Sequence, residues 1–396
     1  MLVFRRQNHQ TAATAVSGLD APERLITELY TTAVEQLSSD KAPVRFGGLC
    51  ALERIAQDDP SHRQTVVNVI CAYLRMPFSP MAPAAKPELV ASGGLNKPGA
   101  ESAAEADGTG GAWQQERQVR LTAQRILAEH LRDDRAEDGQ SADPPRSRFW
   151  DDIRLELTGA TLIDFNLVNC VTADANFQRA AFSGDVSFTG AAFGGAARFG
   201  GAIFGGDASF GEVTFGGAAR FAGVTFGGDA SFGRAAFRGD ASFPEAAFRG
   251  DALFGEATFR RAARFSGVAF DGVAEFGKAT FGGEAGFRKA IFTGDAGFGE
   301  AVFGGDAGFD KATFRRGALF DEAAFTGDAW FGEAAFRGTV WFGEATFSGG
   351  AGALHLEQAR ILSPGASHMW PTGWRLADAD GGGYAVIRAN DDDGGS

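Results

Sequence analysis

No stretch of this 396-residue chain reaches the roughly 18 consecutive apolar residues that a membrane span requires. Its opening, Met1-Leu-Val-Phe-Arg-Arg6, has too short an apolar run for a signal peptide. Cysteine is scarce: Cys50, Cys71 and Cys170 are an odd, scattered set with no paired spacing. Free thiols in a reducing compartment follow, and the expected location is the cytoplasm, with peripheral membrane association left open. His9, His62, His130, His355 and His368 show no ligand spacing and none pairs with a cysteine, so neither a metal site nor a cofactor is expected. His62 and His130 are read as solvated surface groups. Basic residues are also short, 37 against 50 acidic, for a net charge of −13. That deficit argues against direct nucleic-acid binding, which needs Lys and Arg on phosphates.

What is abundant is phenylalanine, and it is ordered. One set runs Phe177, Phe188, Phe199, Phe210 and on through Phe254 and Phe298 to Phe342; a second runs Phe182, Phe193, Phe204 and on to Phe347. Each set has 16 members at a period of 11 with no gap, so steps of five and six alternate. A period so short and regular means a solenoid of stacked coils. Two residues before each Phe stands a small residue, as in Ala197, Ala202, Ala208 and Val213. In an extended turn, positions two apart share a face. The small residue and the Phe therefore both point to the axis, while the Ser, Arg, Thr, Asp and Glu around them face water. Glycine before the bends is read as supplying the backbone angles of tight corners.

The number of units per coil is legible in the decorations. Gly195-Ala-Ala-Arg-Phe199 returns as Gly217-Ala-Ala-Arg-Phe221, and Gly206-Asp-Ala-Ser-Phe210 as Gly228-Asp-Ala-Ser-Phe232, each 22 residues later. Four units of 5+6+5+6 then close one coil, giving about nine coils over residues 149–350 and a rod of roughly 40–45 Å at ~4.8 Å per strand. Phe149, Trp150, Ile153 and Leu155 are candidates to cover the first end. Residues 351–390, with Met369-Trp-Pro-Thr-Gly-Trp374 and a hairpin of Trp374–Ala377 with Tyr384–Arg388, are read as the cap at the other, and 391–396 as a tail.

These motifs, among them Ala208-Ser-Phe210, Ala230-Ser-Phe232 and Ala160-Thr-Leu162, resemble the pentapeptide-repeat family in its Phe-centred variant with alternating five- and six-residue steps. The resemblance implies a right-handed, four-sided parallel β-helix with one short unit per face. It also implies the alternative function weighed below.

Before the repeats the chain reads as helical. Residues 1–20 are expected to be disordered. A helix opens at Asp20-Ala-Pro-Glu23 and runs to about Ser38. A second follows Pro43 with Val44, Leu49, Leu52 and Ile55 on one side, and a third opens at the capping box Ser61-x-x-Gln64. Residues 77–111 form a flexible excursion, a long helix spans about 113–132, and 134–148 is a linker. The fold class is thus α+β and multidomain: a small HEAT-like helical domain over 21–133, then the β-helix. Ala33-Val-Glu-Gln-Leu37, Ala51-Leu-Glu-Arg-Ile55 and Tyr73-Leu-Arg75 also resemble the helical region preceding the repeats in actinobacterial members of the family.

For chemistry the repeat is too uniform: no acid and base cluster in a groove, and no Gly-rich piece precedes a helix with Lys-Ser/Thr, so a P-loop and an enzyme are both rejected. Carboxylates do line up. Asp185, Asp207, Asp229 and Asp251 share one 22-residue register, with Val273 and then Asp295 further on; Glu284, Asp306 and Asp328 share another. Either these satisfy turn amides or they form an acidic face for a basic partner. The leading expectation is a non-enzymatic scaffold for protein partners. The alternative, implied by the family resemblance, is a DNA mimic that occupies gyrase or topoisomerase IV, a reading that a homodimer through the C-terminal cap would strengthen.

Overall fold

The structure, a computed structural model, describes residues 21–79, 100–133, 148–348, 353–356, 358–378 and 384–388. Residues 1–20, the segment 80–99 of the expected excursion, all of the linker but Arg148, and the tail 391–396 lie outside it. The chain divides into two units, Met1–Tyr73 with Met81–Ile126, and Leu74–Pro80 with Leu127–Ser396.

The first unit is built from α1 (Ala21–Leu37), α2 (Ala42–Asp58), α3 (Arg63–Leu74, whose final Leu74 passes to the second unit) and α4 (Ala100–Leu131, as far as Ile126). Pro43 sits in the first turn of α2, where its missing N–H has no intrahelical partner to lose. Leu49, Leu52 and Ile55 of α2 pack in the core with Val66, Val67 and Ile70 of α3 and Val119, Ala123 and Ile126 of α4. Val44, expected on that inner side, is exposed instead.

Two boundaries differ from the sequence reading. The cap before α3 is Asp59, not Ser61: its carboxylate accepts the Ser61 N–H at 2.9 Å and the Ser61 hydroxyl at 2.7 Å, ahead of a 3-10 turn over Pro60–His62. Pro60 takes the first position of that turn, which moves the cap to the residue before it. These Ser61 hydrogen bonds, with His62 behind them, hold the Asp59 carboxyl below its ordinary range. The excursion also ends early, because residues 100–111 are already helical in α4. The Ala- and Glu-rich run Ala100–Ala106 favours helix strongly enough to carry it across Gly108, Gly110 and Gly111.

The second unit is a β-solenoid of about nine coils at about 22 residues per coil. Four sheets of 10, 9, 9 and 12 strands form its faces, each repeat strand pairing in parallel with the one four units along; the 12-stranded sheet ends in an antiparallel hairpin. In chain order the first face contains Ala197–Arg198, the second Ile203–Phe204, the third Ala208–Ser209 and the fourth Thr214–Phe215. The first coil repeats at 20 residues, Leu155 pairing with Ala175, as plain pentapeptides require; the next pairs Ala175 with Ala197 at 22.

Inside, the rings form four columns, one per face. Phe199 stacks on Phe221 at 4.8 Å and 2°, and Phe210 on Phe232 at 4.7 Å and 2°. Columns on opposite faces meet edge to face, as Phe199 does with Phe210 at 5.6 Å and 88°. Both offset stacks and edge contacts are favoured by the ring quadrupole. Phe177, Phe188, Phe199, Phe210, Phe254, Phe298 and Phe342 are all buried, as are the alanine or valine residues two places before them.

The corners come in two kinds, and glycine's role differs from the expected one. At each five-residue corner the third turn residue has φ near +57°, as at Glu212, Arg234, Glu256 and Lys278; in 12 of the 16 repeats from Arg179 to Glu344 that residue is not glycine. Closure by Val213 N–H on the Phe210 carbonyl marks a tight turn of the type that needs φ > 0 there. The glycines concentrate at the six-residue corners for a different reason. A Cβ on Gly217 would lie 2.6 Å from the backbone of Gly195, one coil away.

Each end of the solenoid is covered. The last turn of α4 lies at the first coil: Trp150 stacks on His130 at 3.9 Å, and Arg132 bridges to Cys170. His130 is therefore buried, not solvated, with a ring nitrogen 2.7 Å from the Arg148 carbonyl. Phe149, Ile153 and Leu155 are buried there too. At the other end Trp370 lies 6.2 Å from Phe342, and the antiparallel hairpin Trp374–Asp378 with Tyr384–Arg388 continues the second face from Arg360–Ile361.

Truncating Phe254 to Ala should cost about 3–5 kcal/mol, whereas Arg249→Ala, which removes one exposed pair with Asp271 at 3.2 Å, should cost under about 1 kcal/mol. Chemical denaturation reads both, and equal midpoints would contradict the inward column. A second pair separates the corner types. Gly217→Ala is expected to destabilise by about 1–3 kcal/mol through backbone crowding, while Glu322→Gly, at a φ of 56°, should stay within about 1 kcal/mol of the parent.

Candidate functional site

The coil geometry sorts the aligned carboxylates onto two edges. Asp185, Asp207, Asp229 and Asp251 stack on the edge between the second and third faces; Asp306 and Asp328 lie on the edge between the fourth and first. These edges are diagonally opposite, so the six do not make one surface. Each Asp has a local task. The Asp185 carboxylate accepts the backbone N–H of Asp207 at 3.0 Å, Asp207 that of Asp229 at 2.9 Å, and Asp229 that of Asp251 at 2.8 Å. Asp251 accepts from Val273 at 2.8 Å, where the ladder stops, and Asp306 from Asp328 at 3.0 Å. Corner amides that point along the rod thus find partners one coil away. One carboxylate oxygen is used, and the side chains remain outside.

The charged residues at the five-residue corners also pair along the axis. Arg234 bridges Glu212 at 3.6 Å and Glu256 at 3.1 Å, Lys278 bridges Glu300 at 3.5 Å, and Lys311 bridges Glu333 at 3.2 Å. A shallow depression of about 370 Å³ lies beside this line, among Glu256, Glu275, Lys278, Glu300 and Asp321. Among the described residues no group of His, Cys, Asp or Glu is arranged to hold a metal.

Cys71 and Cys170 are buried and Cys50 is partly so. Burial pushes the Cys170 thiol up to about 12 against the opposing charge of Arg132, and it also raises Cys50. Thiols raised in this way are poor nucleophiles near neutral pH.

Three features escaped the sequence reading. In the helical unit, Glu116 accepts the Tyr73 hydroxyl at 2.9 Å and bridges Arg45 at 3.0 Å and Arg120 at 2.8 Å, with the Arg120 guanidinium over the Tyr73 ring. Burial and the Glu116 carboxylate raise the Tyr73 hydroxyl well above its ordinary value. The same unit exposes Phe46 beside a cleft of about 880 Å³ lined by Pro43, Trp113, Arg117 and Val119. On the third face, Leu319, Trp341 and Met369 succeed one another in register, and on the first, Trp330 stacks on His355 at 3.7 Å. Spacing could have found the last two rows once the 22-residue period was applied to outward positions. The ionic cluster joins three helices and left no local signal.

A family model described as pentapeptide repeats (9 copies) matches residues 171–214, 210–258, 254–302 and 309–352. No curated protein and no solved structure matches the chain. Among the described residues no helix is long and apolar enough to cross a membrane.

Replacing Asp229 by Ala should lower stability by about 1 kcal/mol through loss of its hydrogen bond to the next corner. Asp229→Asn keeps the acceptor and should match the parent. Thermal melts of the two decide the point: equal losses would show that the charge, not the hydrogen bond, is what the corner uses.

Proposed function

We propose that this chain, which belongs to the pentapeptide-repeat family through residues 171–352, is a non-enzymatic scaffold that presents separate surfaces to protein partners in the cytoplasm. One observation carries the reading. The repeat fixes the inward residues and the corner backbone, yet its outward positions form unlike surfaces: an Asp edge, rows of arginine, and a Leu319–Trp341–Met369 row. A solenoid separates core from surface in this way, so outward residues can change without loss of the fold. The helical unit adds its own apolar cleft around Phe46. Leu319 and Trp341 are half-buried and Met369 and Phe46 exposed, and apolar surface open to solvent is the kind that protein partners cover.

The second reading, a DNA mimic acting on gyrase or topoisomerase IV, draws its support from the Asp edge. Asp185 to Asp251 place one carboxylate per coil, about one per 4.8 Å, against one charge per about 1.7 Å of duplex. That density is a third of the duplex value and is confined to one edge, while arginines occupy the opposite edge of the same coils. The scaffold reading is the stronger for this reason.

Affinity capture from lysate with the full chain as bait tests the scaffold. Phe46→Asp and Trp341→Asp should each deplete a different set of captured proteins; identical sets from both variants and the parent would defeat it. Purified gyrase tests the mimic in the same preparation, which should leave DNA supercoiling unchanged. Inhibition relieved by Asn at residues 185, 207, 229 and 251 would reverse the ranking.

A further inference from the structure

In a chain with a net charge of −13, four successive coils carry a concentrated basic surface. Arg198, Arg220 and Arg264 occupy the outward row of the first face, and Arg238, Arg260 and Arg261 the adjoining edge with the fourth face. Arg198 is half-buried and the other five are exposed. Across this face and its two flanking edges, residues 194–267 hold these six arginines against two carboxylates, Asp240 and Glu245. Among the described residues, Asp240 is taken by Arg264 at 3.3 Å, and Asp174, at the near end, lies 3.9 Å from Arg154. Among the described residues, the other five arginines have no carboxylate in ion-pair reach.

The coil does not demand this arrangement. The same outward row accepts Asn176, Ser242, Gly286 and Gly308, so arginine is an option the fold leaves open. Placing Arg198 beside Arg220, one coil apart, costs repulsion that no ion pair among the described residues relieves. The ground around them is smooth, since Gly194, Gly195, Ala196 and Gly216, Gly217, Ala218 form the corners beside them. Every cation here is Arg, whose planar fork binds carboxylate in two parallel hydrogen bonds.

We propose that this patch docks a short acidic peptide segment of a protein partner; the proposal rests on the scaffold reading and gives one of its surfaces a chemistry. Its extent selects the partner. Arg198 to Arg264 spans three coil steps, about 14 Å, the length of roughly four extended residues. Beyond the patch the same edge turns acidic at Glu284, Asp306 and Asp328. A nucleic acid long enough to wrap or run along the solenoid would meet those carboxylates and be repelled, whereas a short acidic segment stays within the arginines.

Fluorescence anisotropy with a labelled hexaglutamate peptide and the full chain tests the assignment. A Gly-Ser peptide of equal length and a ten-residue oligothymidylate serve as comparisons. Hexaglutamate should bind and weaken as salt rises. Arg198→Ala with Arg220→Ala and Arg261→Ala should weaken it at least about tenfold, which is 1.4 kcal/mol. Arg315→Ala with Arg316→Ala, on another edge, should leave it unchanged, and melts should show both variants folded. No binding, equal loss in both variants, or tighter binding of the oligothymidylate would each overturn the proposal. Capture of partners by the full chain separates the two readings: capture retained without hexaglutamate binding sinks the patch alone, and loss of both sinks the scaffold as well.

Discussion

The spacing between neighbouring coils is the constraint on which the rest of the second unit depends. Parallel strands joined by backbone hydrogen bonds lie about 4.8 Å apart, and here Phe199 N–H reaches the Arg220 carbonyl at 2.7 Å, one coil on. Every side chain with a 22-residue neighbour inherits that distance. For rings it imposes an offset stack, since parallel planes in contact are closer than this; the Phe210–Phe232 pair at 4.7 Å and 2° is the result. For carboxylates it brings Asp207 within reach of the Asp229 amide. For unlike charges it makes ladders such as Glu212–Arg234–Glu256. For like charges it makes a repulsion, as between Arg198 and Arg220.

The same spacing explains how strain is tolerated. A non-glycine residue in the left-handed region costs about 1–2 kcal/mol, and the solenoid carries 12 of them at equivalent corners. Each is the outermost point of a turn whose two flanking strands are already fixed by hydrogen bonds to both neighbouring coils. The conformation is imposed from two sides, and at seven of the twelve the charged side chain also reaches a counterpart one coil away, as Lys311 reaches Glu333. At the six-residue corners the backbone itself is what approaches, and glycine takes the crowded position in most coils, with Arg261 and Arg316 the exceptions among the described residues.

Much of this was legible because the inward pattern is repeated so many times. The period of 11 in Phe was enough for the solenoid and its inward residues, and the 22-residue return of Gly-Ala-Ala-Arg-Phe supported a coil of four units; the four-sided form came from the family resemblance. The two corner types were not legible, because glycine's two uses, positive φ and absence of Cβ, look alike in a sequence. His130 was misplaced for a related reason: nothing local to a helix says that Trp150, 20 residues on, will stack upon it. The Arg45–Tyr73–Glu116–Arg120 cluster was invisible because its members come from three helices. Of the candidate acidic residues, the register predicted the lines, and the hydrogen-bond ladder supplied their local task.

Regularity of this kind also shapes what function can be built. An enzyme needs a few unlike groups converging on one point, and a straight ladder diverges: each outward row presents the same position again at the next coil. Such a surface favours recognition of something extended along the axis or of a patch a few coils wide. Where the rows stay chemically mixed, as with Ser231, Leu253 and Glu275 on the third face, the surface offers no repeating chemistry. Where successive coils agree, as they do at the Asp edge and at Arg198 with Arg220, the agreement has no origin in the core, which is the same in every coil. At the Asp edge the corner amides account for that agreement; at Arg198 with Arg220 no ion pair among the described residues does, and there a partner's chemistry can be read.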